Sequence, residues 1–472
     1  MAAESEESVD ALDSYRQFFA LEPDVLVLSV AMLVFSLAFQ MTTRYVPEYL
    51  FTLGAGAGIV GLYGSLGNLI SAVYPYPGGA VSDRVGSRVA LTAFAVVTTL
   101  GFVVWAAAPS LPGLDLPVVS LAGIEVGGTV GPWVWVFLGL LLTQAWKSFG
   151  LGATFAIVKQ SVAPDRLAMG FASTEIFRRV GFLLGPAIAA VVLAVYEFQV
   201  GFQYVLLLAA GFAAVATVAQ HALYDVDERS SSGNQNSKSS DDASEDTVGD
   251  SFEGLDTVRR DFRNLPPTLR PLLVADTLIR FANGMVYVFF VVVVTRYLGV
   301  GFTGFGVSIG PAAFFGVLLS VEMAVAILTK VPVSKLAERT GLKPVVGLGF
   351  LVYATFPILL VSAPADQWAL VALFAYSGLR FAGLPAHKAL IVGPAERDAG
   401  GRVTGTYYLV RNTIVIPSAA LGGLLYGGDW TLRFAGVSVT AGPQLAFGLA
   451  TVIGLVGVAY FAAFGREFEA YA

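Results

Sequence analysis

Cysteine is absent from all 472 residues, which excludes disulfides, thiolate metal sites and thiol nucleophiles. Histidine occurs only as His221 and His387, too few to build a histidine metal centre. Charged residues make up 13% of the chain, where a soluble domain carries about a quarter. Lysine is the scarcest of them, seven against twenty-one arginines. There is no Gly-x-x-x-x-Gly-Lys-Ser/Thr loop to cradle a nucleotide and no His-x-x-x-His pair. A cofactor, a metal, nucleic acid and ATP as the chain's own energy source all fall outside expectation, and the chain is not expected to be an enzyme.

Apolar surface is what the chain has in abundance. Hydrophobic residues make up 56% and the mean hydropathy is +0.72. A membrane-spanning helix needs roughly 20 mainly apolar residues. Twelve runs meet that need: 25–47, 56–78, 89–108, 132–158, 168–194, 202–223, 271–295, 304–332, 344–362, 368–392, 403–426 and 444–464. The expected fold class is an all-α integral membrane protein held in the lipid bilayer. The acidic start, Met1 to Glu7, has no basic stretch or cleavage site before the first run, so that helix is expected to direct insertion.

After the sixth run the composition changes. Ser230 to Ser237 leads into an acidic stretch from Asp241 to Asp246, with too few apolar side chains to bury, and disorder is expected. The chain then divides into an acidic N-terminal segment (1–23), a six-helix bundle (24–223), a linker (224–268), a second six-helix bundle (269–465) and a short tail (466–472). Arg84, Arg88, Lys159, Arg166, Arg259, Arg260, Arg263, Lys335, Arg339, Lys343, Arg397 and Arg402 all fall in the even-numbered connections. By the positive-inside rule both termini face the cytoplasm, and only Arg296 and Arg433 break the pattern. A monomer in the plasma membrane is expected.

Gly79-Ala80-Val81-Ser82-Asp83-Arg84-Val85-Gly86-Ser87-Arg88 reads as a tight loop after the second run. It recurs more weakly, 255 residues later, as Ser334-Lys335-Leu336-Ala337-Glu338-Arg339-Thr340-Gly341-Leu342-Lys343. Lys147 follows Gln144 by three residues in the fourth run, as Arg380 follows Ser377 in the tenth. Arg178-Arg179 precede Pro186 much as Arg411-Asn412 precede Pro417. These matches indicate two six-helix repeats of the same hand, with a solute site near the midplane between them.

On these residues the chain resembles the major facilitator superfamily of transporters, over about 25–464 apart from the linker. Asp83-Arg84-Val85-Gly86-Ser87-Arg88 matches the family's signature loop, and Pro164-Asp165-Arg166 followed by Gly170 is similar to its connection between helices four and five. Gly181 to Pro186 matches the first part of the antiporter-associated motif, which continues to a glycine pair where this chain has Ala189-Ala190. The resemblance implies a cytoplasmic gate from Gly79, Asp83, Arg84, Gly86 and Arg88, answered in the second half by Glu338, Arg339, Gly341 and Lys343. The acidic, lysine-poor balance suits a halophilic archaeal source, and ordinary variation in a GC-rich genome gives the same balance.

A charge at a helix centre costs about 2.5–3.5 kcal/mol on insertion, so each should line a cavity or meet a partner. The cations in the runs are Lys147, Arg178, Arg179, Arg280, Arg380 and Arg411, and the acids are Glu175, Asp276 and Glu322. The positive surplus favours an anionic solute, an organic carboxylate or phosphate ester; the alternative is that ion pairs across helices neutralise these groups. Asp276, Arg280, Asn283 and Tyr287 share one helix face, which is either part of the solute path or a structural seam. Trp146, beside Lys147, either stacks on the solute or packs in the core. Candidate solute ligands are therefore Lys147, Arg380, Arg178, Arg179, Arg411, Arg280, Asn283 and Trp146.

Glu322 has no basic residue within four positions. A carboxylate buried without a cation can take up and release a proton, which makes Glu322 the leading candidate for proton coupling and Asp276 the second. The alternative is that its helix points it at Arg380 or Lys147. Gln40, Arg44 and Glu48 recur every four residues near the external end of the first run. They either form an outer gate with Arg296 or end the helix, with Arg44 reaching outward to the membrane surface. The expected function is a secondary transporter moving a small solute, an organic anion, by alternating access with protons as the coupling partner. A transporter-like sensor or scaffold, and a multidrug-type exporter of non-anionic compounds, are the alternatives.

Overall fold

The computed structural model describes residues 23–121, 124–149, 167–223, 266–392, 400–428, 430–434 and 437–467. Most of the linker, the N-terminal segment and Pro164-Asp165-Arg166 lie outside the described residues. Ten of the twelve expected runs are helices long and apolar enough to cross a membrane. The first half supplies α1 (Leu26–Thr52), α2 (Ala57–Val73), α3 (Arg88–Ser110), α4 (Val134–Gln144), α5 (Ile176–Val195) and α6 (Phe198–Leu223). The second supplies α7 (Arg270–Tyr297), α8 (Pro311–Leu328), α9 (Leu342–Val361), α10 (Gln367–Ile391), α11 (Gly405–Gly427) and α12 (Pro443–Phe464). The two shorter than expected are α2 and α4. Helix α2 yields at Tyr74 to a separate helix, Pro75–Val85, because the Pro75 ring cannot continue an N–H ladder. Helix α4 passes into a π turn, Ala145–Phe149, where the described residues stop.

The signature stretch is not the open loop its composition suggests. It is helical through Val85, and the chain reverses at a single residue, Gly86, with φ +86° and ψ 148°. The second copy repeats this residue for residue: a helix over Lys330–Thr340, then Gly341 with φ +90° and ψ 166°. In both, the glycine N–H bonds the carbonyl four residues back, Ser82 and Ala337. This region of backbone space is essentially glycine-only, so the two glycines are conformational requirements of one turn used twice.

The ends carrying Gly86 and Gly341 form one face of the bundle. The opposite face carries Glu48 and three antiparallel hairpins that the sequence reading did not predict, one of which takes up the start of the expected run 304–332, so that its helix begins only at Pro311. These are β1 (Leu114–Leu121) with β2 (Ile124–Val130), β3 (Phe302–Gly304) with β4 (Val307–Ile309), and β5 (Thr431–Phe434) with β6 (Val437–Thr440). Each joins an odd-numbered helix to the next even one. Gly306-Val307-Ser308-Ile309-Gly310 spells the Gly-x-Ser-x-Gly pattern of a nucleophile elbow, but Ser308 is an exposed strand residue paired with Thr303. The two histidines lie elsewhere, His221 near the end of α6 and His387 on α10.

The halves meet mainly towards the Glu48 face, and small residues make that possible. A side chain added at Gly61 of α2 would strike the Ala419 carbonyl of α11, and one at Gly423 would sit 2.6 Å from the Ala57 carbonyl. Likewise a Cβ at Gly316 of α8 would lie 2.6 Å from the Pro186 carbonyl of α5. Within the first half, Gly181 and Gly185 of the antiporter-like motif let α5 press against the α1 backbone at Leu33 and Leu37.

Gly341→Ala is expected to cost about 1–3 kcal/mol through backbone strain. The new methyl would also meet Glu467 Oε2 at 2.5 Å. The control is Gly405→Ala, where nothing lies within 4 Å and the helix gains a better helix former. Thermal unfolding in detergent should show a lowered midpoint for the first variant alone.

Candidate functional site

The polar interior of the second half is organised by two carboxylates. Asp276, on α7, is fully buried. Its Oδ2 accepts from Arg411 Nη1 at 3.0 Å and from Tyr407 OH at 3.1 Å, both on the α11 segment, and faces His387 Nε2 of α10 at 3.5 Å. Its Oδ1 accepts from Arg280 Nε at 3.3 Å, one turn along α7. Arg411 also gives Nε and Nη2 to Asn412 Oδ1 at 3.1 and 2.9 Å. The expected Asp276–Arg280 pair is present, within a larger cluster joining three helices.

Glu322 is the second organiser, and the structure supplies the cation that local spacing left open. Arg380 Nη2 and Ser377 Oγ both donate to Glu322 Oε1 at 2.5 Å. Both ionic groups are buried, at 2% exposure each. The Arg380 guanidinium sits among Phe381, Tyr353, Phe356 and Phe290, with ring centroids 4.7, 5.2, 5.5 and 6.0 Å away. Gly378 permits this approach, since a Cβ there would lie 2.5 Å from the Glu322 carbonyl. Glu322 is therefore not the cation-free carboxylate that made it the leading proton-coupling candidate, and Arg380 does not stand open to a solute.

The matched cation of the first half is placed differently. Lys147 and Arg380 are 233 residues apart, as are Arg178 and Arg411, so the fourth and fifth helices share one register with the tenth and eleventh. Both cations sit where the α-helix gives way, Lys147 in the π turn and Arg380 in a 3₁₀ turn, Leu379–Phe381. Such irregular turns in helices frequently mark functional positions. The 255-residue register of the signature turns aligns Glu322 with Gly67, so the first half has no counter-acid at that position. Lys147 is exposed and lies within electrostatic reach of Arg178 and Arg44, and among the described residues no acid pairs with it.

Between the halves lies a cavity of about 260 Å³. Arg280, Asn283, Tyr287, Arg411 and Asn412 line it from the second half, and Asn68 and Gly64 from the first. Asn283 Oδ1 is buried there without a hydrogen-bond partner. Arg44 does not reach outward as expected of a helix-end residue. Its guanidinium lies 4.2 Å from the Tyr287 ring centroid, held by cation–π attraction across the two halves.

Other candidates are distributed as follows. Trp146 is buried and stacked on Phe35 at 4.1 Å, which makes it a core residue rather than an open stacking platform. Arg178 and Arg179 are half-buried on α5, with Arg178 5.7 Å from the Phe182 ring centroid. Near the Glu48 face, Glu48 Oε1 accepts from Arg296 Nε at 2.8 Å and Oε2 from Thr295 Oγ1 at 2.9 Å, joining α1 to α7.

At the Gly86 face, Arg88 gives Nε and Nη2 to the His221 carbonyl at the end of α6, at 3.1 and 2.6 Å. Its counterpart Lys343 gives Nζ to the Ala462 carbonyl near the end of α12 at 3.1 Å. Each cation caps the negative end of a helix in its own half. Arg84 and Arg339 are exposed, Gly79 lies in the helix Pro75–Val85, and the side chains of Asp83 and Glu338 lie outside the described residues.

No family model matches the chain. An uncharacterised MFS-type transporter of Methanocaldococcus jannaschii is 22% identical over 407 residues, covering 86% of this chain and 89% of that protein. An uncharacterised MFS-type transporter of Mycobacterium tuberculosis is 30% identical over 195 residues, 41% of this chain and 40% of that protein. Among solved structures, a variant of the nucleoside transporter NupG aligns with a TM-score of 0.68 at 13% identity, covering 94% of this chain and 100% of that one. A peptide transporter, POT, in complex with sulfate aligns at 0.62 with 16% identity, covering 94% and 95%. The recognition drawn from the signature stretch is thus borne out. The chain is an all-α membrane protein of the major facilitator fold, similar to MFS-type transporters.

Removing one member of a buried ion pair strands the other, at about 3–5 kcal/mol, whereas replacing both with apolar groups is often neutral. Glu322→Leu is therefore expected to lower the unfolding midpoint strongly and Glu322→Leu/Arg380→Met to restore most of it. A double variant no better than the single one would contradict this account of Arg380.

Proposed function

We propose that the protein is a secondary transporter that carries a small organic anion by alternating access, with proton movement as the coupled step. The observation that carries this reading is the cavity between the halves, lined by Arg280 and Arg411. Arg44 reaches towards it across the halves, over the Tyr287 ring. Asp276 offsets one of the two lining guanidiniums, leaving a surplus that an anion would balance.

Protons would enter through the two buried carboxylates. Protonation of Glu322 would release Arg380, and protonation of Asp276 would release Arg411 and Arg280 towards the solute. On this reading the Gly86 face is cytoplasmic, as the distribution of Lys and Arg in the connections requires. Glu48–Arg296 and the glycine contacts beside it then form the closed outer side. The similarity to MFS-type transporters supports transport as the activity.

Two measurements test this. In proteoliposomes with an imposed pH gradient, organic anions should be taken up in preference to cations. Lys147→Ala and Arg411→Ala should each cut that uptake by about tenfold or more, the worth of one charge-assisted hydrogen bond. Preference for cationic solutes would overturn the anion reading. Because the chain has no native cysteine, Glu48→Cys/Arg296→Cys can be cross-linked without background. Cross-linking should stop uptake and reduction should restore it; undiminished uptake in the cross-linked protein would sink the outer-gate assignment.

A further inference from the structure

We infer that the solute bears one or more hydroxyl groups beside its anionic group, as a small hydroxy acid or sugar phosphate does; this rests on the anion reading above. The cavity's internal bonds leave part of its polar lining free for a solute. Arg411 is bonded through Nη1 to Asp276 and through Nε and Nη2 to Asn412, and Arg280 spends Nε on Asp276 and Nη1 on Tyr353 OH. With Asp276 between them, these two guanidiniums leave a net single positive charge, which one anionic group balances.

The rest of the polar lining is neutral: the amides of Asn68, Asn283 and Asn412 and the phenol of Tyr287. That is more hydrogen-bonding capacity than a plain alkyl carboxylate or phosphate can use. Asn283 sharpens the point, because its Oδ1 is buried and meets no hydrogen-bond partner among the described residues. A buried polar atom left unpaired in a cavity-lining residue calls for a complementary group, which an occupant of the cavity can supply. An ammonium would complement Oδ1 but would add a cation beside Arg280 and Arg411. A hydroxyl adds no charge, and since it both donates and accepts it meets the amide in either orientation. At about 260 Å³ the space suits a solute of a few carbons, below the roughly 300–1,000 Å³ of sites for drug-sized ligands.

Matched pairs test this in the intact protein. Ligand-induced shifts of thermal unfolding in detergent would be titrated for malate against succinate, lactate against propionate, and glycerol 3-phosphate against propyl phosphate, with aspartate as the ammonium analogue of malate. The hydroxylated member is expected to bind about tenfold tighter in each pair that binds, since a site built for a hydroxyl rejects the analogue lacking it. Asn283→Leu should erase that preference while still binding the anion, and Asn283→Ser, which keeps a small polar group in case leucine impairs folding, should retain part of it. Equal binding within the pairs, a preference unchanged in Asn283→Leu, or aspartate binding more tightly than malate would overturn the inference and leave the anion reading standing. Binding of none of these anions would remove both.

Discussion

A charge inside an apolar bundle must meet a partner or line a cavity, and the second half of this protein is arranged around that requirement. Asp276 draws together Arg280 from its own helix, Arg411 and Tyr407 from the α11 segment and His387 from α10. Glu322 draws Arg380 and Ser377 of α10 onto α8. In a medium that solvates ions poorly, each carboxylate holds several helices at a fixed distance, because separating the groups would strand them. The helix irregularities follow the same logic. A 3₁₀ turn at Leu379–Phe381 and a glycine at 378 bring the Arg380 side chain and the Glu322 backbone into reach of each other.

What the sequence made legible was whatever a residue requires of its own backbone. Gly86 and Gly341 had to be glycine for their φ angles, so the duplicated turn was visible as a duplicated motif. The apolar runs were visible because lipid imposes length and composition on a spanning helix. The turn itself was read as a longer loop, because its polar residues look like loop composition although they lie on short helices capped by one glycine. The hairpins were hidden for a related reason. Their strands are three to eight residues long, and alternation over so few positions is weak beside the apolar runs that flank them.

At the site, legibility ended where partners lie far apart in sequence. Asp276 and Arg280, four residues apart, could be paired by helical spacing alone. Glu322 and Arg380 are 58 residues apart, and spacing could say only that each needed something. His387 and Tyr407 were missed because nothing local marks them, yet both face Asp276. For Arg44 local spacing left an outer gate and the membrane surface both open, and did not name the Tyr287 ring of the other half, over which it lies.

The duplication carries one further consequence. The register shared by the fourth and tenth helices places Lys147 and Arg380 at equivalent positions, but Glu322 stands opposite Arg380 whereas Gly67 occupies the matching place in the first half. Among the described residues the matched cation is therefore paired with an acid in one half and not in the other. A symmetric pair of ion pairs would neutralise both and leave no charge for a solute; two open cations would repel across the midplane. With one of each, the second half keeps an internally paired cluster, and the first presents a cation within electrostatic reach of Arg178 and Arg44. The proposed anion would answer such an imbalance at the cavity between the halves, which Arg280 and Arg411 line.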